Sequence, residues 1–329
     1  MWKNIKSNWP LLIIIFTVSV VVMVKTIKTV RSPGANMFHQ TNNDSAWVPP
    51  SLFLDNQLEG DDRKLVIYGE DIIANTAMYF GPHGSVARTS NGMNCQNCHL
   101  NAGKKNWGNN YSAVFSTYPK FRERSGTMET IYKRVRDCFE RSLNGTAPDS
   151  NSQEYRAIYA YMKWIGQDVK KGEKPIGSGI EKLPFIDRAA NPTKGKQVYA
   201  AQCQRCHGAN GEGQLSLNRV SYQYPPLWGE YSYNTGAGLF RLSNFAGYVK
   251  NNMPFDEATH HNPKLTNEEA WDVAAFVNSQ PRPQKNLSQD WPDISKKPFD
   301  HPFGPYSDSF SETQHKFGPY GPIIAKKRK

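Results

Sequence analysis

The five cysteines limit what this chain can fold into more than any other feature of the sequence. Four stand in two copies of one pattern, Cys95-Gln96-Asn97-Cys98-His99 and Cys203-Gln204-Arg205-Cys206-His207, 108 residues apart. The fifth, Cys138, stands alone between them. Two thiols three residues apart with a histidine directly after them form the attachment pattern of a c-type haem. The thiols reach the two vinyl groups of one porphyrin, and the histidine on the same turn meets the iron from below. A zinc knuckle would need a second ligand pair close by. A disulfide reading gives the histidine of each copy nothing to do. The motifs therefore predict two covalently bound haem c groups, attached through Cys95, Cys98, Cys203 and Cys206, with His99 and His207 as proximal iron ligands.

Each motif sits in a unit of the same layout: helix, CxxCH, long irregular stretch, helix. In the first unit Leu65, Tyr68, Ile72, Ile73 and Thr76 recur at helical spacing until Gly81-Pro82-His83-Gly84 stops the run. Helices are predicted over Met128–Phe139 and Gln153–Val169, the latter opened by a Ser150-x-x-Gln153 capping box. The second unit starts a helix near Thr193 and closes with Thr266–Asn278, opened by Thr266-x-x-Glu269 and stopped by Pro281 and Pro283. The predicted fold class is all-α, with two cytochrome c-type haem domains in tandem at 61–170 and 193–283. Polar linkers precede them (32–60) and join them (171–192). Residues 284–329 are proline-rich and carry Phe-Gly-Pro-Tyr twice; so many aromatics predict an extended strap across the body, ending in a basic tail.

Pro10–Val24 is apolar apart from Thr17 and Ser19, and is flanked by Trp2, Trp9 and lysines 3, 6, 25 and 28. Snorkelling flanks extend so short a run to the bilayer interfaces, and no small-x-small cleavage site follows it. Residues 1–31 are therefore expected to form an uncleaved, single-pass inner-membrane anchor. Covalent haem is attached outside the cytoplasm, which places 32–329 on the periplasmic side. The net charge of +11 would suggest a nucleic-acid partner. Five of those charges lie in 1–31 and four in Lys326–Lys329, which leaves +2 for everything between. The body is nearly neutral, and nucleic acid is excluded as a partner.

The face of each iron opposite the histidine decides what a haem does. Asn252-Met253-Pro254 lies 46 residues past His207, where small cytochromes c place an axial methionine, so Met253 is the expected second ligand there. A thioether stabilises ferrous iron and suits an electron exit. The first unit has no such Met-Pro. Met93 is too close to Cys95 to reach over the haem, while Met128 and His83 remain candidates. Cys138, 39 residues past His99, is the other unusual group there. Arg122, Arg124, Lys133, Arg134, Arg136 and Arg141 surround it in sequence, six cations against four acids in twenty residues. Cations favour thiolate, the form that ligates metals and attacks sulfur. The same arginines suit a doubly charged oxyanion.

At these residues the sequence resembles the dihaem thiosulfate dehydrogenases of the cytochrome c superfamily. The resemblance is carried by Gly92-Met93-x-Cys95-x-x-Cys98-His99-Leu100 with Ala102-Gly103, by Asp137-Cys138-Phe139-Glu140-Arg141-Ser142-Leu143-Asn144-Gly145, by the second CxxCH and by the Phe-Gly-Pro-Tyr tail. It implies that two thiosulfates are joined oxidatively to tetrathionate, or the reverse. It also implies that Cys138 ligates the first haem while Arg124, Arg134 and Ser142 line the pocket, and that an external cytochrome or similar acceptor takes the electrons. Some members carry a lysine beside the methionine as an alternative ligand; here Asn251 and Asn252 precede Met253, which favours simple His/Met ligation. On this reading Cys138 is the covalent catalyst, bonded to one thiosulfate until a second releases tetrathionate. A non-catalytic, membrane-anchored electron-transfer cytochrome leaves Cys138 and its arginines unexplained. A dihaem peroxidase would need an acid/base pair for which the sequence offers no candidate.

Overall fold

The computed structural model describes residues 46–327 apart from 53, 54 and 56. The expected anchor and the start of the first linker lie outside the described residues. Among those described, no helix is long and apolar enough to cross a membrane.

The first unit is built on two crossing helices, α1 (Gly60–Ala74) and α4 (Gln153–Ile165). Asp61 and Asp62 in the first turn of α1 complement its dipole. Val66, Ile72 and Ile73 of α1 meet Ile158, Tyr161 and Ile165 of α4 in the buried core. The crossing is close enough that a side chain at Gly69 would overlap the carbonyl of Ala157. The run that starts α1 does not continue unbroken to Gly81. Asn75 donates to the Asp71 carboxylate at 2.7 Å, the chain breaks there, and α2 (Thr76–Phe80) resumes at an angle. α4 is capped by Ser152 rather than Ser150, because Asp149 first draws Asn151 N and Ser152 N into a turn.

Between the first haem motif and α4 the chain is not wholly helical. Lys120–Arg122 (β1) and Thr127–Glu129 (β2) form an antiparallel hairpin with Lys120 opposite Glu129. Gly126, at a φ of +65°, makes its turn. The helix predicted from Met128 therefore begins later. Thr130 accepts from Lys133 N at 3.3 Å and caps α3 (Ile131–Arg141).

The second unit repeats the plan with α5 (Pro192–Gln202), α6 (Leu242–Asn252) and α7 (Asn267–Ser279). Asn191 caps α5 with Pro192 at its first position, and Thr266 with Glu269 form the expected capping box of α7. Here Gly195 lies against the Asp272 carbonyl, as Gly69 lies against Ala157. A second small hairpin pairs Gln214–Leu215 with Tyr222–Tyr224. The fold is two largely helical units, with two short hairpins as the only strands among the described residues.

The C-terminal segment packs on both units. Phe299 and Tyr320 join Phe185 and Trp271 in an aromatic cluster. Buried His315 sits between Asp308 and the Phe299 carbonyl with Tyr306 stacked on its ring at 3.7 Å. The segment is not extended throughout, since α8 (Glu312–Phe317) and α9 (Gly321–Lys327) interrupt it. Asp300, fully buried, accepts from Arg241 Nε at 2.8 Å and from Ser243 N at 3.1 Å. Burial raises its carboxyl, but Arg241 and Ser243 outweigh this and hold it below the usual range.

Two outcomes follow. Gly195→Ala should lose about 1–3 kcal/mol in denaturant unfolding, because the helices must part, whereas Gly238→Ala, with open space around it, should lose little. Asp300→Asn should cost about 3 kcal/mol at neutral pH, since it leaves Arg241 unpaired. A depressed carboxyl stabilises the fold above its unfolded value near pH 4, so that gap should narrow as pH falls below about 4.

Candidate active site

Two cavities lie in the body of the protein, of about 470 and 680 Å³. Both fall in the range of about 300–1,000 Å³ usual for cofactor sites. Cys95, Cys98 and His99 line the smaller; Cys203, Cys206 and His207 line the larger. The first motif is positioned from behind. Thr76 of α2 donates to the Ile72 carbonyl and accepts from Cys95 N at 3.0 Å, while Asn94 and Asn97 bond reciprocally around the turn.

Each histidine is oriented in the same way. His99 Nδ1 meets the Asn109 carbonyl at 2.6 Å, and His207 Nδ1 meets the Pro225 carbonyl at 2.8 Å. A carbonyl can only accept, so Nδ1 carries the proton and the Nε2 lone pair is left for a metal. Burial keeps both rings neutral, with His99 pushed down to about 4. Burial also pushes the Cys95, Cys98 and Cys203 thiols up to about 12. No disulfide links the five cysteines, and among the described residues no three His, Cys, Asp or Glu side chains gather into a metal cluster. The donors thus fit two haems rather than zinc or disulfides. Cys95, Cys98 and His99 would hold one, Cys203, Cys206 and His207 the other.

Met253 lines the larger cavity with His207. It follows the end of α6, which is held in place by its own asparagines. Asn252 Nδ2 donates to the Trp107 carbonyl at 3.0 Å, and Asn251 Nδ2 donates to Glu181 at 2.7 Å.

Cys138 lines the smaller cavity, as do Arg134 one turn before it and Ser142 one turn after. The i, i+4, i+8 spacing puts the three on one stripe of α3 and its C-cap. Val135 and Phe139, beside the stripe, are buried. Of the alternatives, His83 lies outside the cavity, and Met128, 62 % exposed on β2, points away from it. Met162 and Met93 do line the cavity, although Met93 stands too close to Cys95 in sequence to reach over the haem.

The six cations read around Cys138 do not act together. Arg124 donates to Asp137 at 2.8 Å and Lys133 pairs with the same carboxylate. Arg136 pairs with Glu140, and Arg141 makes a two-pronged pair with Asp290 at 2.7 and 2.8 Å. Arg122 lies 3.7 Å from Glu129. Arg134 has no carboxylate within ion-pair distance among the described residues. Its guanidinium is held above its ordinary value chiefly by the neighbouring Cys138 sulfur. Arg124 therefore braces α3 from outside and does not line the cavity. The sequence reading missed Lys120, Lys174 and Lys182, which do line it. For Lys174 and Lys182 the signal was present as several lysines in what looked like a plain linker. Five cations and, among the described residues, no acid face this cavity, which suits a multiply charged anion.

Two such cavities on two helical units define a dihaem c-type cytochrome. The "SoxA/TsdA, cytochrome c domain" family matches residues 85–170, and the "Cytochrome c" family matches 192–281. Thiosulfate dehydrogenase of Psychrobacter arcticus is 40 % identical over 61 % of this chain and 60 % of its own length. That of Thiomonas intermedia is 33 % identical over 77 % of this chain and 76 % of its own. The solved "as isolated" form of thiosulfate dehydrogenase (TsdBA) from Marichromatium purpuratum shares 32 % identity and a TM-score of 0.65. The match covers 73 % of this chain and half of that one. The chain belongs to the thiosulfate dehydrogenase family, and its two cytochrome c domains carry two covalently bound haems.

Proposed function

We propose that this protein oxidatively joins two thiosulfates to tetrathionate, or runs the reverse, with Cys138 as the covalent catalyst. The observation that carries this reading is the stripe of Arg134, Cys138 and Ser142 on the wall of the cavity that holds Cys95, Cys98 and His99. An electron-transfer cytochrome has no use for a cationic cavity around a third thiol.

The Cys138 thiolate bonds to the outer sulfur of a first thiosulfate, and that bond formation releases two electrons. A second thiosulfate attacks the sulfur joined to Cys138. Tetrathionate departs and the Cys138 thiolate is restored, so charge and atoms balance over both steps. Arg134 offsets the charge of each anion, and the Ser142 hydroxyl donates to a sulfonate oxygen. Arg124 acts through Asp137, fixing the rotation of α3 that aims Cys138 into the cavity. Bound haem would supply one-electron redox chemistry at each site, so the two sites together could take up the two electrons released. The proposed ligand sets are His99 with Cys138 and His207 with Met253, the second serving as exit to an external cytochrome-type acceptor. The proposed setting is the periplasmic face of the inner membrane, with residues 1–31 as a single-pass anchor. A fifteen-residue run, apolar apart from Thr17 and Ser19, between basic flanks, and haem attachment outside the cytoplasm, support it.

Cys138→Ala should retain both haems but lose thiosulfate-driven haem reduction by about 10³-fold or more. Equal reduction of the variant and the wild type would end the reading. Met253→Ala should lose the iron–methionine sulfur absorption band of the ferric protein and lower the potential of the second haem only; an unchanged spectrum would remove Met253 as a ligand.

A further inference from the structure

Joining two thiosulfates requires a second dianion to enter a cavity where the first is already bound to Cys138. Arg134 and Ser142 stand beside Cys138 and are occupied by the first. Four further cations line the cavity, and three of them are brought there by two segments of the chain far apart in sequence. The hairpin supplies Lys120 and Arg122, and the inter-domain linker supplies Lys174.

We propose that Lys120, Arg122 and Lys174 form a receiving subsite for the second thiosulfate, next to the Arg134–Ser142 group in the same cavity. This rests on the reading of thiosulfate as substrate. Lys120 is half-buried at the start of β1, with its ammonium over the Tyr118 ring at 4.5 Å. No carboxylate pairs with it among the described residues. Burial, and then the neighbouring charges of Arg122, Lys174 and Arg134, push that ammonium down to about 8. An anion seated among these groups would relieve the crowding. Arg122 is only loosely held by Glu129, whose other oxygen accepts from Ser125 at 2.8 Å. Lys174 is exposed at the rim but not adrift. Gly172 N donates to the Ser116 carbonyl at 2.8 Å, Ser116 Oγ donates to the Glu173 carbonyl at 2.7 Å, and the Lys171 ammonium bonds the Tyr118 carbonyl. The linker is thus fastened to the segment that also carries Tyr118 and Lys120. A stretch that looks like a tether between domains supplies part of the site.

The test is steady-state thiosulfate oxidation by the holoenzyme with ferricyanide as acceptor, in Lys120→Met, Lys120→Arg and Lys174→Met. Each methionine variant should raise the half-saturating thiosulfate concentration about tenfold with kcat within about twofold, as expected when one charge-assisted contact is lost. Lys120→Arg should restore the wild-type value. Competitive inhibition by sulfate, a dianion of similar shape, should weaken by a similar factor, while haem content, ferric spectrum and both reduction potentials stay unchanged. An unchanged half-saturating concentration would overturn the proposal. So would a shifted potential of the first haem with a falling kcat, which would assign the lysines to the haem carboxylates. Lys163→Gln, an exposed charge on α4 away from the cavity, should change nothing; an equal rise there would reduce the effect to overall charge and overturn the subsite. Failure of the underlying reading is distinguishable, because Cys138→Ala would then still be reduced by thiosulfate.

Discussion

The proposed chemistry depends on the rotation of one helix, α3. Its inner stripe carries Arg134, Cys138 and Ser142 into the cavity of the first haem motif. Its outer side is held by Arg124 and Lys133 on Asp137 and by the two-pronged pair of Arg141 with Asp290. Asp290 belongs to the C-terminal segment, and Trp291 N, next to it, donates to the Arg124 carbonyl at 2.7 Å. A small turn of α3 would exchange the thiol for a charged or apolar neighbour. The tail that follows the second domain is thus a brace for the active face of the first.

The two haem sites are joined as closely as the helices are. Met93, Asn94 and Cys98 contribute to the walls of both cavities. Tyr248 of α6 donates to the Asn97 carbonyl inside the first motif at 3.0 Å, and Asn252 donates to Trp107 in the loop that holds His99. The residue before Met253 and the carbonyl that orients His99 are therefore part of one hydrogen-bonded assembly. Such a connection suits a reaction that releases electrons in pairs to acceptors that take them singly.

Much of this was legible in the sequence, because its signals are local. CxxCH fixes attachment points and proximal ligand within five residues, and the Thr266–Glu269 box fixes a helix start within four. Cys138, Arg134 and Ser142 share a face because a helix repeats, although in the sequence Ser142 was marked only by the family resemblance. What stayed hidden depends on contacts between distant segments. Arg124 looked equal to Arg134 until Asp137 was seen to occupy it. Met128 looked helical until Lys120–Arg122 paired with its strand. Ser150 fitted a capping pattern, but Asp149 turned the chain first. Lys120 and Lys174, 54 residues apart, carry no mark of belonging to one cavity.

The central claim is that thiosulfate becomes joined to Cys138, and the adduct itself is the most direct thing to measure. The oxidised holoprotein would be mixed with thiosulfate, quenched in acid, digested without reductant and read by peptide mass spectrometry. The account predicts that the peptide containing Cys138 carries the added mass of one thiosulfate, that reductant removes it, and that it is absent in Cys138→Ala. A protein that turns over thiosulfate with Cys138 unmodified in every quenched sample would contradict it.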